Sequence, residues 1–287
     1  MKKIKQSRLA SFLVVLFVYL IATAVGILAY RALNFSWWLN LLIADVIATV
    51  LVFMFSIIFS NASVYDPYWS VQPIVIIALL SIGREATVLG IFMICAISLW
   101  GVRLTLNWAY TFKGLCHQDW RYTMLKETTK KFYPIINFVG IHMVPTLIVY
   151  ACTLPTAYVI VNHSEGDAFS IFPLLLCLLA VALQAVSDIQ MHVYRKNKTT
   201  PFIRTGLWKY SRHPNYLGEI LMWWGIGISF VVAMPSCWYL LLGALANTVL
   251  FLSVSIPMAD KRQSKKEGFF EYKAQTRMLL PIKKRMK

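Results

Sequence analysis

From Leu9 to Tyr30 the chain runs 22 residues without a charged side chain. A helix needs about 20 such residues to cross a hydrocarbon layer about 30 Å thick. Further apolar runs follow at about 38–59, 71–82, 86–112, 134–161, 168–195, 220–233 and 238–258. With 59% hydrophobic and only 14% charged residues, the 287-residue chain is too apolar for a soluble domain of its length. The fold class that follows is all-α, a polytopic membrane protein with about seven to eight transmembrane helices. The run at 71–82 is the short one, either re-entrant or spanning.

The formal charge of +16 raises nucleic acid as a partner, and the placement of the basic residues argues against it. Four precede the first run, five lie in 113–131, six in 195–212 and ten from Lys261 onward, which accounts for 25 of the 28 Lys and Arg. Only Arg31, Arg84 and Arg103 stand elsewhere. An eight-span path with both termini cytoplasmic puts almost every positive charge on one side, where anionic membrane lipids meet it. The expected division is a transmembrane catalytic domain, 1–258, and a basic cytoplasmic tail, 259–287. That tail either lies on the membrane surface or caps a cofactor cavity. Lys2 to Arg8 ahead of a long apolar run without a cleavage site reads as an uncleaved first helix. The five cysteines are scattered and show no metal or disulfide spacing, so no metal site is expected.

One stretch brings many reactive side chains to the edge of an apolar run: Gly206-Leu-Trp-Lys-Tyr-Ser-Arg-His-Pro-Asn-Tyr-Leu-Gly-Glu219. Pro214 suits the first turn of a helix and places Arg212 and His213 at its mouth. Asn215 and Glu219, four residues apart, share a face. Upstream, Gln184, Asp188, His192 and Arg195 form a polar stripe at spacings of four, four and three as the sixth run leaves the membrane. Two helices joined by a short loop pack as neighbours. The stripe is either a helix ending in water or one lining a cavity open to the cytoplasm; in the second reading it and the motif enclose a cavity with Arg204 and Arg212 at a phosphate end and a polar ring held deeper in. Arg103 either snorkels to the interface or meets a ligand. Asp45 reads as an inward acid bonded to a neighbouring helix, and His142 as a packed, hydrogen-bonded residue. Asn61 to Ser70, rich in hydroxyls and rings, reads either as an interfacial belt or as the wall of a substrate pocket, with Tyr65 or Tyr68 as a hydroxyl donor. No Walker A loop, dinucleotide fingerprint, HExxH or GxSxG is present in the sequence.

The Gly206–Glu219 stretch resembles the signature of the membrane steroid 5α-reductase-like family, in its bacterial branch catalogued as a domain of unknown function (DUF1295). Tyr65-Asp-Pro-Tyr-Trp-Ser70, Trp100-Gly-Val-Arg103, Asp188 through Arg195 and the aromatic, basic tail through Pro281 match in the same order. The resemblance implies a reductase of the bacterial inner membrane that passes hydride from NADPH to a carbon–carbon double bond conjugated with a ketone in a lipophilic substrate. It carries cofactor contacts onto Asp188, Arg195, Arg204, Tyr210, Asn215 and Glu219, with Asn215 and Glu219 near the nicotinamide amide. Arg212 joins them through its place at the helix mouth. Tyr68 and Glu219 are then the candidate catalytic residues, and Tyr65, Tyr68 and Arg103 the candidate substrate contacts. The glutamate that the steroid enzymes carry in an early helix has no match, and Gln184 stands where animal members have a different amide. A steroid substrate therefore does not follow.

Two other classes remain open. Isoprenylcysteine and phospholipid methyltransferases, which use S-adenosylmethionine, look similar around Arg212 to Gly218. A non-enzymatic lipid carrier would instead line a passage with Asp45, Arg103 and Asp188.

Overall fold

A computed structural model describes residues 2–284, so the tail positions 285–287 lie outside the described residues. Several of its helices begin at local signals that the sequence carries. Ser7 accepts from the Ala10 amide at 3.3 Å and starts α1, Arg8–Ala32. Asn40 closes the turn into α2, Trp37–Ile58, by donating to Leu33 O at 3.0 Å and accepting from Phe35 N at 3.1 Å. A short helix, α3, spans Tyr68–Ser81. Thr87 caps α4, Val88–Thr111, and Asp119 caps α5, Trp120–Thr129. The chain then runs through a π-helical stretch, Ile136–Met143, into α6, Val144–Val161. Next come α7, Leu174–Lys196, and α8, Pro214–Ala233, the latter with Pro214 in its first turn. The last apolar run holds α9, Leu242–Leu250, and α10, Ile256–Gln263, with π-helix between them. The tail adds α11, Phe269–Gln275.

Both π-helical stretches sit just before a proline, Pro145 and Pro257. Proline cannot donate to the carbonyl four residues back, and the wider turn absorbs the mismatch without ending the helix. Pro155 leaves α6 continuous to Val161.

Among the described residues, seven helical stretches are long and apolar enough to cross a membrane. The eighth run, α3, has 14 residues and a length of about 21 Å. Its flanks are nonetheless pinned to opposite faces. On one side Asn61 Nδ2 donates to Leu115 O and His117 O at 2.7 and 3.0 Å, at the face where α4 ends. On the other, His163 bonds Glu85 O at 3.1 Å, where α4 begins. The chain therefore crosses at α3 as well, and the re-entrant alternative is set aside. The face holding 113–131, 195–212 and the tail is the basic face. The sequence division at 258 falls inside α10, and the tail folds back on the body: Phe202, Phe269 and Tyr272 form a small buried cluster.

Two populations of apolar side chain explain the bundle. Leu13, Leu16, Phe17 and Leu20 on α1 are exposed along one stripe, facing where lipid would be, while Val15, Val18 and Ala22 are buried. Between lipid-facing helices there is no hydrophobic drive, so close packing of small residues holds them together. At the α7–α8 contact a Cβ on Gly218 would meet Ala180 O at 2.7 Å and Gln184 Cγ at 2.5 Å, and one on Gly225 would meet Cys177 Sγ at 2.5 Å. These glycines are seven residues apart on one face and set how near the polar stripe of α7 comes to the motif helix. Gly218→Val should separate the two helices and lower stability by about 2 kcal/mol, read as a fall in Tm in detergent, whereas substitution at the open Gly83 turn, where nothing lies within 4 Å, tests only backbone strain.

Candidate functional site

At the basic face the ends of α4 and α7, the starts of α5 and α8, α10 and the tail surround a cavity of about 520 Å³. Its wall includes Asp188 and Arg195 from the α7 stripe and Arg212, His213 and Asn215 from the motif. The sequence reading placed these together, and the structure does so. Arg103 is not on the wall. Its guanidinium donates to Asp188 Oδ2 at 2.7 Å with both side chains mostly buried, which fixes the carboxylate that does face the cavity. One turn further along both helices His192 Nε2 and Asn107 Oδ1 lie 2.8 Å apart. These paired rungs join α4 to α7.

Arg212 is spoken for. It donates to Thr276 O at 2.8 Å and meets Asp260 Oδ2 at 3.3 Å. His213 Nε2 lies 3.0 Å from Asp260 Oδ1, and Lys273 Nζ 3.1 Å from Oδ2. One acid of α10 thus gathers the motif's Arg-His pair and a tail lysine. Ser211 adds Oγ to Leu279 O at 2.6 Å, and the Arg212 and Arg277 amides bond Arg277 O and Tyr210 O. The tail is fastened along the motif. Arg204 and Tyr210 are outside the cavity: Arg204 lies over the Phe202 ring at 4.3 Å, and Tyr210 is partly exposed beside the tail.

The cations left without a carboxylate partner on the cavity wall, among the described residues, are Lys113, Arg195 and Arg262. Arg262 stands over the Trp120 ring at 4.3 Å. Asp119 caps α5 and binds Arg121 at 2.8 Å. Burial pushes its carboxyl up, and Arg121 more than reverses this, so it lies below the usual range. Burial raises Asp66 to about 6 against the opposing pull of Arg121, and Tyr122 O–H donates to it at 2.7 Å.

Glu219 lies beneath this cavity and not on its wall. Only 3% exposed, its carboxylate accepts from Trp100 Nε1 at 2.9 Å, Gln184 Nε2 at 2.8 Å and Trp223 Nε1 at 3.1 Å. Three donors from α4, α7 and α8 occupy it.

A second cavity of about 310 Å³ lies between α1, α2 and α3. Its walls are apolar, and at one end stands a polar group. Tyr68 O–H donates to Asp45 Oδ1 at 3.3 Å, and Gln72 Nε2 donates to Asp45 Oδ2. Tyr65 turns away, its hydroxyl 2.8 Å from Thr146 Oγ1 in a fully buried site. Tyr68 and Trp69, the first two residues of α3, face different cavities.

A family model described as "Protein of unknown function (DUF1295)" matches residues 52–276. The chain belongs to this family of steroid 5α-reductase-like proteins. "Uncharacterized protein C594.04c" of Schizosaccharomyces pombe is 28% identical over 165 residues, which cover 48% of this chain and 47% of that protein. The chain thus matches about half the length of that relative. No solved structure matches the chain.

Sequence reasoning noticed Asp45 as an inward acid but gave it no partner, and missed Gln72, Asp66 and Asp260. Asp45 and Gln72 are 27 positions apart, so only the fold makes them a pair. Asp260 did leave a signal, a lone acid directly ahead of Lys261-Arg262 at the end of an apolar run. Asp260→Asn should leave three cationic or hydrogen-bonding groups without their charge partner, cost about 3 kcal/mol and release the tail. Limited trypsin digestion would show faster loss of the tail than in the parent chain, with the transmembrane body intact.

Proposed function

We propose that the protein is a membrane reductase that transfers hydride from NADPH to a conjugated carbon–carbon double bond of a lipophilic enone. The observation that carries this reading is the pair of cavities that share the first turn of α3. One is polar, basic and built from the family motif. The other is mostly apolar, with a hydroxyl–carboxylate–amide group at the end beside the first turn of α3.

The polar cavity suits a polyanionic dinucleotide. Arg195, Arg262 and Lys113 are free to meet phosphates, the Asn215 amide and Asp188 suit ribose and carboxamide groups, and Gln263 Oε1 is a buried acceptor without a partner. Trp69, Trp108 and Tyr216 offer faces for flat rings. S-adenosylmethionine carries a sulfonium and an ammonium, and three unpaired cations would repel it. That charge balance favours the reductase over the methyltransferase.

NADPH, when bound, supplies the hydride that the reaction needs. The chain's own part is to orient the enone and stabilise its oxygen as negative charge builds there. Tyr68 is placed for that. Its bond to Asp45 is 3.3 Å long, beyond the usual range for one hydroxyl donating to an oxygen, so a carbonyl oxygen closer by can take the proton donor over. Gln72 keeps Asp45 bonded while that happens. Arg103 holds Asp188, and Glu219 fixes the spacing of α4, α7 and α8 around the cofactor cavity. The membrane-level apolar walls exclude water from the oxygen's surroundings.

Thermal melting of the detergent-purified protein tests the cofactor, because a ligand that binds the folded state raises Tm by mass action. NADPH should raise it and S-adenosylmethionine should not; the reverse would establish the methyltransferase, and no shift with either would favour the carrier. With an enone panel, Tyr68→Phe should lower turnover about 100-fold while leaving the NADPH shift unchanged. Tyr65→Phe should alter turnover far less.

A further inference from the structure

Among the described residues, the Lys and Arg of Lys3 to Arg8, of 113–131, of 195–212 and of the tail to Lys284 gather at the basic face, and Arg103 is paired with Asp188 at that same end of α4. Among the described residues Arg31 and Arg84 alone remain on the opposite face, at the ends of α1 and α3. Both line the apolar cavity. A helix C-terminus favours a cation, which accounts for each arginine singly and not for two helices bringing theirs to one cavity. Neither has a carboxylate partner among the described residues. Arg84 donates one nitrogen to Leu80 O and keeps the others free.

The cavity's length is fixed by its helices. On α1 its wall follows Tyr19, Thr23, Gly26, Ile27, Tyr30 and Arg31, one face over twelve residues, or about 18 Å. On α3 it runs the same distance from Tyr68 to Leu80. α1 packs on α2, α2 on α6, and α3 on α4 and α6, and the cavity is the gap left between α3 and the α1–α2 pair. A ligand filling it meets Tyr68, Asp45 and Gln72 at one end, aliphatic walls along its length, and two guanidinium groups at the other.

We infer that the lipophile taken by this cavity is an anionic amphiphile about 18 Å long, whose acidic head is held by Arg31 and Arg84 while its reacting end lies at Tyr68. Carboxylate, sulfate and phosphate monoester heads share the required chemistry, oxygens that accept charge-assisted bonds from guanidinium. The inference rests on the reading of this cavity as the substrate site, and the cofactor enters its test only as a check on folding.

Dodecyl phosphate and 1-dodecanol are the probes, titrated against protein in neutral nanodiscs with binding read by intrinsic tryptophan and tyrosine fluorescence. The phosphate should bind at least tenfold more tightly than the alcohol. Arg31→Gln with Arg84→Gln should shrink that preference below threefold and leave the NADPH melting shift as it was, which shows the double variant folded. Equal affinities for the two probes, or an undiminished preference in the double variant, would overturn the inference. So would complete displacement of dodecyl phosphate by phosphatidylglycerol in the disc, which would assign both arginines to bilayer headgroups. A parent protein that ignores NADPH yet prefers the phosphate would sink the reductase reading and leave the anionic site standing.

Discussion

A carboxylate buried in an apolar bundle persists only if its oxygens are bonded, and Glu219 meets that condition with three N–H donors. Two of the donors are indoles, which supply a proton and a large apolar body at once. Trp100 and Trp223 stack edge to face at 4.8 Å and are fully buried, so the polar knot is sealed by the rings that make it. Because the donors come from α4, α7 and α8, the knot fixes how those helices stand to one another. The glycines at 218 and 225 permit the approach that the knot requires. Above it the Arg103–Asp188 and Asn107–His192 rungs continue the α4–α7 contact to the cavity wall.

A second knot closes the same cavity from the basic face. Asp260 draws together Arg212, His213 and Lys273, and the tail's carbonyls take the motif's remaining donors. The cationic groups around the cavity thus divide into two kinds. Arg212 and Lys273 are neutralised by Asp260 and hold the chain, whereas Lys113, Arg195 and Arg262 have no carboxylate partner among the described residues. This division follows from where a single acid stands and could not be read from a count of basic residues. It also ties the tail to the site, since residues past 258 supply part of the cavity wall.

The helices were legible because the bilayer leaves few choices: long uncharged runs and Pro214 at a helix start mark themselves locally, whereas the caps at Ser7, Thr87 and Asp119 were not read. The α7 stripe and the motif were legible as neighbours because a short loop joins them. Glu219 was misjudged in orientation, since spacing places Asn215 and Glu219 on one face but does not say that the lower residue is roofed by Trp100 from α4 together with Trp223 one turn on in its own helix. Arg204 and Tyr210 share the motif's neighbourhood in sequence, and the folding-back of the tail turns them aside. The apolar cavity left almost no local trace. It exists because α3 packs on α4 and α6 and leaves α1 and α2 standing off, which is a property of tertiary packing.

That standing-off gives the segment Asp66 to Trp69 its importance. A reaction between a water-soluble polyanion and a membrane-soluble amphiphile needs two sites of opposite solvation that meet over a few ångströms. A helix crossing at full length from face to face would separate them by its whole diameter. α3 is short, it begins beside the polar cavity, and its first turn sends consecutive side chains to the two cavities. The irregular backbone before it is held by bonds from Asn61, Ser63 and Tyr19, so the turn is positioned by its surroundings. In a hydrocarbon environment irregular backbone survives only against protein or water. Here it packs on the loop 112–119 and stands between the two cavities.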